Sequence, residues 1–291
     1  MIPYTALVAW GNFSPWESPD QVEHDLVLSR AIAELYSHPL IAKTLVFRGG
    51  TALHKLFFEK AGRFSEDLDF VQVNAKPIGK TVNAIREALD HWLGAPSWKQ
   101  NQGRFTLNYH FTTETEPVIT RKVKIEINTR EHFKVQPYAL KHFEVKNQWY
   151  SGTSSVLTYT IEELLATKLR ALHQRRKGRD LYDFWYVTQQ LGTLQIDTII
   201  DIFEHYMEKE GNAVSRAEFE QNLSNKRNDI LFNNDIMPLL TLEQANQYHI
   251  EHAFDIIDSF VARLKGAAWK GKGGLNTKKS TFQPAPSQDH L

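Results

Sequence analysis

Apolar and polar positions divide the chain into two kinds of segment. TLVF, ending at Phe47, is a short unbroken apolar run, and Gly49, Gly50, Thr51 and the spacing of ALHKLFFEK follow at once. This predicts strand, glycine turn and helix in that order. Upstream, SPDQVEHDLVLSRAIAEL has helical periodicity. Ser18 is placed to cap, Pro19 suits the first helical position, Gln21 completes a capping-box spacing, and the helix should stop near His38-Pro39. After Gly62, FSEDLDFVQV alternates with period two, so Ser65, Asp67, Asp69 and Val71 share one face of a strand while Leu68 and Phe70 share the other. TVNAIREALDHWLG predicts a helix stopped by Gly94. RFTLNYHF and RKVKIEIN alternate again as two more strands, with Val123, Ile125 and Ile127 turned away from Lys124, Glu126 and Asn128.

From TYTIEELLATKLRAL to about Leu264 the period is helical, with breaks at Gly178, Gly192, Gly211 and near Pro238. The expected class is α+β: a mixed-sheet domain over residues 1–155, a helical domain over 156–268 and a flexible tail over 269–291. The tail, KGKGGLNTKKSTFQPAPSQDHL with its flanks, has too little apolar content to repay the entropy of ordering it. No internal repeat is apparent.

Composition narrows the chemistry. With 42% hydrophobic residues the chain can bury one large core or two smaller ones. Lys plus Arg equals Asp plus Glu, 34 each, so only local clustering can speak for an anionic partner. The absence of cysteine removes disulfides, thiolate nucleophiles and sulfur metal sites. MIPYTALVAWGNF is interrupted by Pro3, Gly11 and Asn12, and no apolar run approaches the roughly 20 residues of a membrane span. A cytoplasmic protein without membrane association is expected.

Asp67 and Asp69 project from one strand face about 7 Å apart, a spacing at which two carboxylates can converge on a divalent cation. They could equally be solubilising charges at a strand end. Gly49, Gly50 and Thr51 lie between strand and helix, where backbone amides favour phosphate; a tight turn with Thr51 as cap explains them as well. Glu126 is a third acid, mid-strand, which could also pair with Lys124. Lys168 falls inside the apolar stripe Ile161, Leu164, Leu165, Leu169, Leu172, and an inward lysine needs a route to water or an anion. Arg175, Arg176, Lys177 and Arg179 cluster at the end of that helix, as dipole compensation or as a nucleic-acid contact. Asp180 and Asp183 have the spacing of a cap and its third helical residue. Arg63 either fixes the strand start or meets a phosphate.

Together, LVFRGGTALHKL, RFSEDLDF, VKIEI and EELLATKLRALHQRRKGRDLYDF resemble the AbiEii/AbiGii toxin family, in matching order from about Glu23 to Phe184. The resemblance implies a nucleotidyltransferase fold like that of DNA polymerase β, closed by a helical second half. It implies a toxin of a toxin–antitoxin or abortive-infection system, with an AbiEi-like DNA-binding antitoxin encoded nearby. It implies transfer of NMP from an NTP to a nucleic acid, the tRNA 3′ end foremost, with Mg²⁺ or Mn²⁺. Carried over by residue, Ser65, Asp67, Asp69, Glu126, Lys168 and Asp183 are catalytic candidates. Asp67, Asp69 and Glu126 would hold metal, and Gly49, Gly50, Thr51, Lys168, Arg175 and Asp180 would hold the nucleotide. The same residues leave open a transferase acting on a small hydroxyl compound, or a non-catalytic nucleotide-binding module.

Overall fold

The computed structural model describes residues 2–271; most of the expected tail, 272–291, lies outside the described residues. The chain begins with α1 (Tyr4–Gly11), α2 (Pro19–Ser37), α3 (Pro39–Thr44), β1 (Leu45–Arg48), α4 (Gly49–Phe57), β2 (Asp67–Gln72) and α5 (Gly79–Leu93). Five strands follow: β3 (Ser97–Asn101), β4 (Arg104–Thr112), β5 (Thr120–Asn128), β6 (Ala139–Lys146) and β7 (Ser151–Thr158). The rest is helical: α6 (Ile161–Gln174), α7 (Gly178–Gln190), α8 (Ile196–Lys209), α9 (Arg216–Arg227), α10 (Ile230–Asn234), α11 (Leu242–Gln247) and α12 (Ile250–Val261). No helix among the described residues is long and apolar enough to cross a membrane.

All strands join one mixed sheet in the order β3-β4-β5-β2-β1-β7-β6. β2 runs antiparallel to β1 and parallel to β5. Alternation gives the sheet two unlike faces. On one, Phe47, Leu68, Phe70, Phe105, Leu107, Ile125 and Ile127 are buried in a core shared with α2 and α5. On the other, Val46 and Val71 join Leu53 of α4 in a second core, with Leu165 and Leu169 of α6 and Phe184 of α7. The helical half is thus built onto the sheet face that carries Asp67 and Asp69.

Several expected details differ. Ser18 does precede α2, but its hydroxyl donates to the Asp20 carboxylate instead of accepting a backbone N–H, so the capping box does not form. His38 ends α2 and uses its ring Nδ1 to accept from the Leu40 N–H, starting α3. Thr51 does not cap α4. Neither Asp180 nor Asp183 caps α7, which starts at Gly178 after Lys177.

Candidate active site

Strand pairing assembles the acids. Arg48 of β1 lies opposite Asp69 of β2, which lies opposite Glu126 of β5, and Asp67 lies opposite Lys124. Directly paired residues share a face, so two cross-strand rows meet there, one reading Arg48, Asp69, Glu126 and the next Asp67, Lys124. Lys124 stands between acids: its Nζ is 3.2 Å from Asp67 Oδ2 and 3.0 Å from Glu126 Oε2. Arg104 approaches Glu126 at 3.1 Å. The Asp69 carboxyl is pushed up, first by burial and then by the charges of Asp67 and Glu126, against the opposing pull of Arg48.

The glycines close on this row. Gly49 has φ +81°, and a Cβ there would lie 2.5 Å from Asp69 Oδ2. A Cβ on Gly50 would lie 2.0 Å from an Arg63 guanidinium nitrogen. Both side chains must be absent for α4 to start against the acids on one side and Arg63 on the other. Thr51 latches the approach to β2: its hydroxyl donates to the Asp67 carbonyl at 2.5 Å and shares a hydrogen bond with Ser65 Oγ at 2.7 Å. Ser65 is therefore held just ahead of the strand, not within it.

Behind Gly50 lies a buried ion network. Arg63 donates to Asp183 through Nε (2.7 Å) and a terminal nitrogen (3.0 Å). Asp183 also meets His54 Nε2 at 2.9 Å and Lys168 Nζ at 2.6 Å. Lys168 reaches Asp180 at 3.3 Å, and Arg175 grips Asp180 with two hydrogen bonds of 2.6 and 2.8 Å. Both aspartates are fully buried. Burial alone would raise them, but Arg63 and Lys168 hold Asp183 well below the usual carboxylate range, and Lys168 and Arg175 lower Asp180. The anion that answers inward-facing Lys168 is thus supplied by the protein itself. Arg175 remains half-exposed and feels the charge of Asp69 as well as that of Asp180.

The acid rows, the glycine turn and the ion network adjoin one another through Gly49 and Gly50. Beyond Arg175, the helix-end basic residues are paired within the helical half, Arg176 with Asp229, and Lys177 and Arg179 with Asp235, although Arg179 also lies within the field of Glu66. Two hollows of about 460 and 370 Å³ open on the helical half, and none of the acids or glycines lines them. Periodicity did not single out Arg48; it did set Lys124 on the face of Glu126 as a candidate partner, and that pair forms, with Asp67 as a second partner the alternation alone did not name. Arg48 also holds Glu131 at 2.7 Å, and Glu131 in turn pairs with Arg170 at 3.0 Å, which ties β1 to α6.

Oxygen donors on Asp67, Asp69 and Glu126 suit a hard divalent cation, and a cation there would favour the ionised form of Asp69 that burial disfavours. As they stand, no three His, Cys, Asp or Glu side chains among the described residues are arranged as a metal cage. The Lys124 ammonium spans two of the carboxylates instead.

Residues 30–259 match the family described as nucleotidyl transferase AbiEii toxin, type IV toxin–antitoxin system. Among solved structures, the chain is similar to MenT4, a nucleotidyltransferase toxin from Mycobacterium tuberculosis H37Rv, with TM-score 0.58 and 17% identity over 91% of each chain. A weaker likeness, TM-score 0.37 and 14% identity over 74% of this chain and 94% of the other, is to an antigenic nucleotidyltransferase-like protein from Paracoccidioides brasiliensis. No curated protein matches the sequence.

Proposed function

The chain belongs to the AbiEii family of nucleotidyltransferase toxins of type IV toxin–antitoxin systems, and from that premise we propose that it transfers NMP from an NTP to a nucleic acid hydroxyl, the tRNA 3′ end being the acceptor. The observation that carries this reading is the register that sets Asp67 and Asp69 beside Glu126, directly against the glycine start of α4.

Asp67 and Asp69, with Glu126, are the residues that would hold Mg²⁺ or Mn²⁺. A bound divalent ion supplies neutralisation of the triphosphate charge. Gly49 and Gly50 let phosphate oxygens approach backbone amides at the positive end of α4. Arg175 is the exposed cation that meets the leaving phosphates, and Asp180 fixes its guanidinium plane. Lys168 adds positive potential from behind, held by Asp183, so that its role is to position Arg175 and Asp180 as much as to touch ligand. Ser65 and Thr51 hold the Asp67 backbone at the right height. In the reaction the acceptor oxygen bonds to the α-phosphorus while the bond from that phosphorus to the β-bridging oxygen breaks. The electron pair leaves with pyrophosphate, and the hydroxyl proton passes to Glu126. The partner in the system is an antitoxin, proposed here as a DNA-binding repressor encoded beside the toxin.

Incubating the purified protein with each α-labelled NTP, Mg²⁺ and total tRNA tests this. Label should enter RNA with wild-type protein and fall at least about a hundredfold with Asp69→Asn. Growth arrest that persists unchanged in Asp69→Asn at equal abundance, with no label in any RNA, would remove the reading.

A further inference from the structure

The row that holds the acids does not stop at β5. Thr106 of β4 lies opposite Glu126, and Lys99 of β3 lies opposite Thr106. Five strands therefore present, in line and on one face, Arg48, Asp69, Glu126, Thr106 and Lys99. The flanking pairs on that face are Ser97 with Asn108, Asn101 with Arg104, and His110 with Lys122. Every one of these side chains is polar and none is buried. The opposite face of the same strands is apolar and filled by Phe105, Leu107 and Tyr109. A strand wing with one packed face normally offers its other face to water. Here that face is continuous with the acids.

Its charge is one-sided. Lys99, Arg104 and Lys122 are exposed, and the acid within the wing, Glu126, is met by both Arg104 and Lys124. Lys99 and Lys122 have no ion pair among the described residues, Glu66 being the acid whose field Lys122 feels. The helix-end cluster, by contrast, is matched by Asp180, Asp229 and Asp235. Adjacent strands are about 4.8 Å apart, so the wing extends about 14 Å from Asp69 to Lys99.

The geometry points to this wing, the open face of β5, β4 and β3, as the track on which a single-stranded nucleic acid end lies, with phosphates on Lys122, Arg104 and Lys99 and its terminal hydroxyl delivered to Asp69 and Glu126. The inference rests on the transferase reading above and assigns its acceptor a place. Cations along a groove follow a phosphodiester backbone without reading its sequence, and the hydroxyl and amide groups of Ser97, Asn101, Thr106 and Asn108 add neutral hydrogen bonds.

Fluorescence anisotropy with a short end-labelled RNA strand and its DNA counterpart, without NTP and over a range of salt, tests it on the full chain. Lys99→Gln/Lys122→Gln and Arg176→Gln/Lys177→Gln remove the same charge from exposed or partly exposed positions. The first pair should weaken binding about tenfold at low salt and flatten the log–log salt slope by about 1.4, two phosphates at about 0.7 each. The second should change it by less than about twofold. Equal effects, or a larger effect of the second pair, overturn the assignment. Binding of NTP to the same samples separates the two ideas. Wild-type protein that binds NTP but neither strand overturns the track and leaves a transferase with another acceptor. Protein that binds strands through Lys99 and Lys122 but never NTP upholds the track and overturns the transferase. The ratio of RNA to DNA affinity identifies the source of the strand.

Discussion

Asp69 and Asp183 are two aspartates on neighbouring elements with opposite fates. Asp69 is partly buried, raised, and crowded by acids; Asp183 is fully buried, lowered, and ringed by Arg63, Lys168 and His54. Asp69→Asn should abolish transfer yet keep or slightly raise the melting temperature, because it removes like-charge repulsion. Asp183→Asn should lower stability by about 3–5 kcal/mol, read by urea unfolding, because it strands buried cations. Acid sensitivity has a separate source. His24 is buried between Phe64 and Phe111 with neither ring nitrogen hydrogen-bonded, and burial lowers its pKa from 6.5 to about 4. The unfolded chain then binds a proton that the native state refuses, so stability present above pH 6.5 is lost as pH falls toward 4. His54, also lowered by burial, has the same sign. Urea midpoints over that interval should fall less steeply in His24→Leu than in wild type. Sequence period showed which way Asp67, Asp69 and Glu126 face. It could not show that Asp180 and Asp183 are the anions beside Lys168, because that contact joins residues on different helices.

At the scale of elements, strand, glycine turn and helix are legible where a strong period and a special backbone conformation coincide. β1, α4, β2, α5, β4 and β5 all follow from alternation or helical spacing. The elements missed are short or weakly patterned: β3, SWKQN, is exposed throughout; β6, ALKHFEVK, buries only Phe143 and Val145; β7, SGTSSVLT, is mostly Ser, Thr and Gly; and α1 and α3 are short, α1 being bounded by Pro3 and Asn12. The turn itself makes a sharp prediction. Gly49→Ala must place a Cβ at positive φ and against Asp69, so it should destabilise by about 1–2 kcal/mol and reduce transfer far more than that loss explains. Thermal melting alongside the labelled-NTP assay separates the two effects. Thr51→Val leaves the glycines intact but loses the bonds to Ser65 and Asp67. It should lower transfer with a change in stability of only about 1 kcal/mol.

For the whole molecule, the division into a mixed-sheet half and a helical half was visible as a change of period near Thr160. What the period concealed is that the second core is completed by Val46, Leu53 and Val71 from the first half. A fragment ending at Thr160 should consequently expose that apolar sheet face and bind a hydrophobic dye, and a soluble fragment with native-like near-ultraviolet dichroism would contradict this. Electroneutrality of the chain likewise hides local pattern, since Arg176 and Lys177 at the helix end are paired with Asp229 and Asp235 while Lys99 and Lys122 of the β3–β5 wing have no ion pair among the described residues. The Lys124 bridge has a consequence for such a toxin between encounters with substrate. Because a tethered ammonium lies against both Asp67 and Glu126, any cation brought to those two carboxylates would enter by exchange with one already in place.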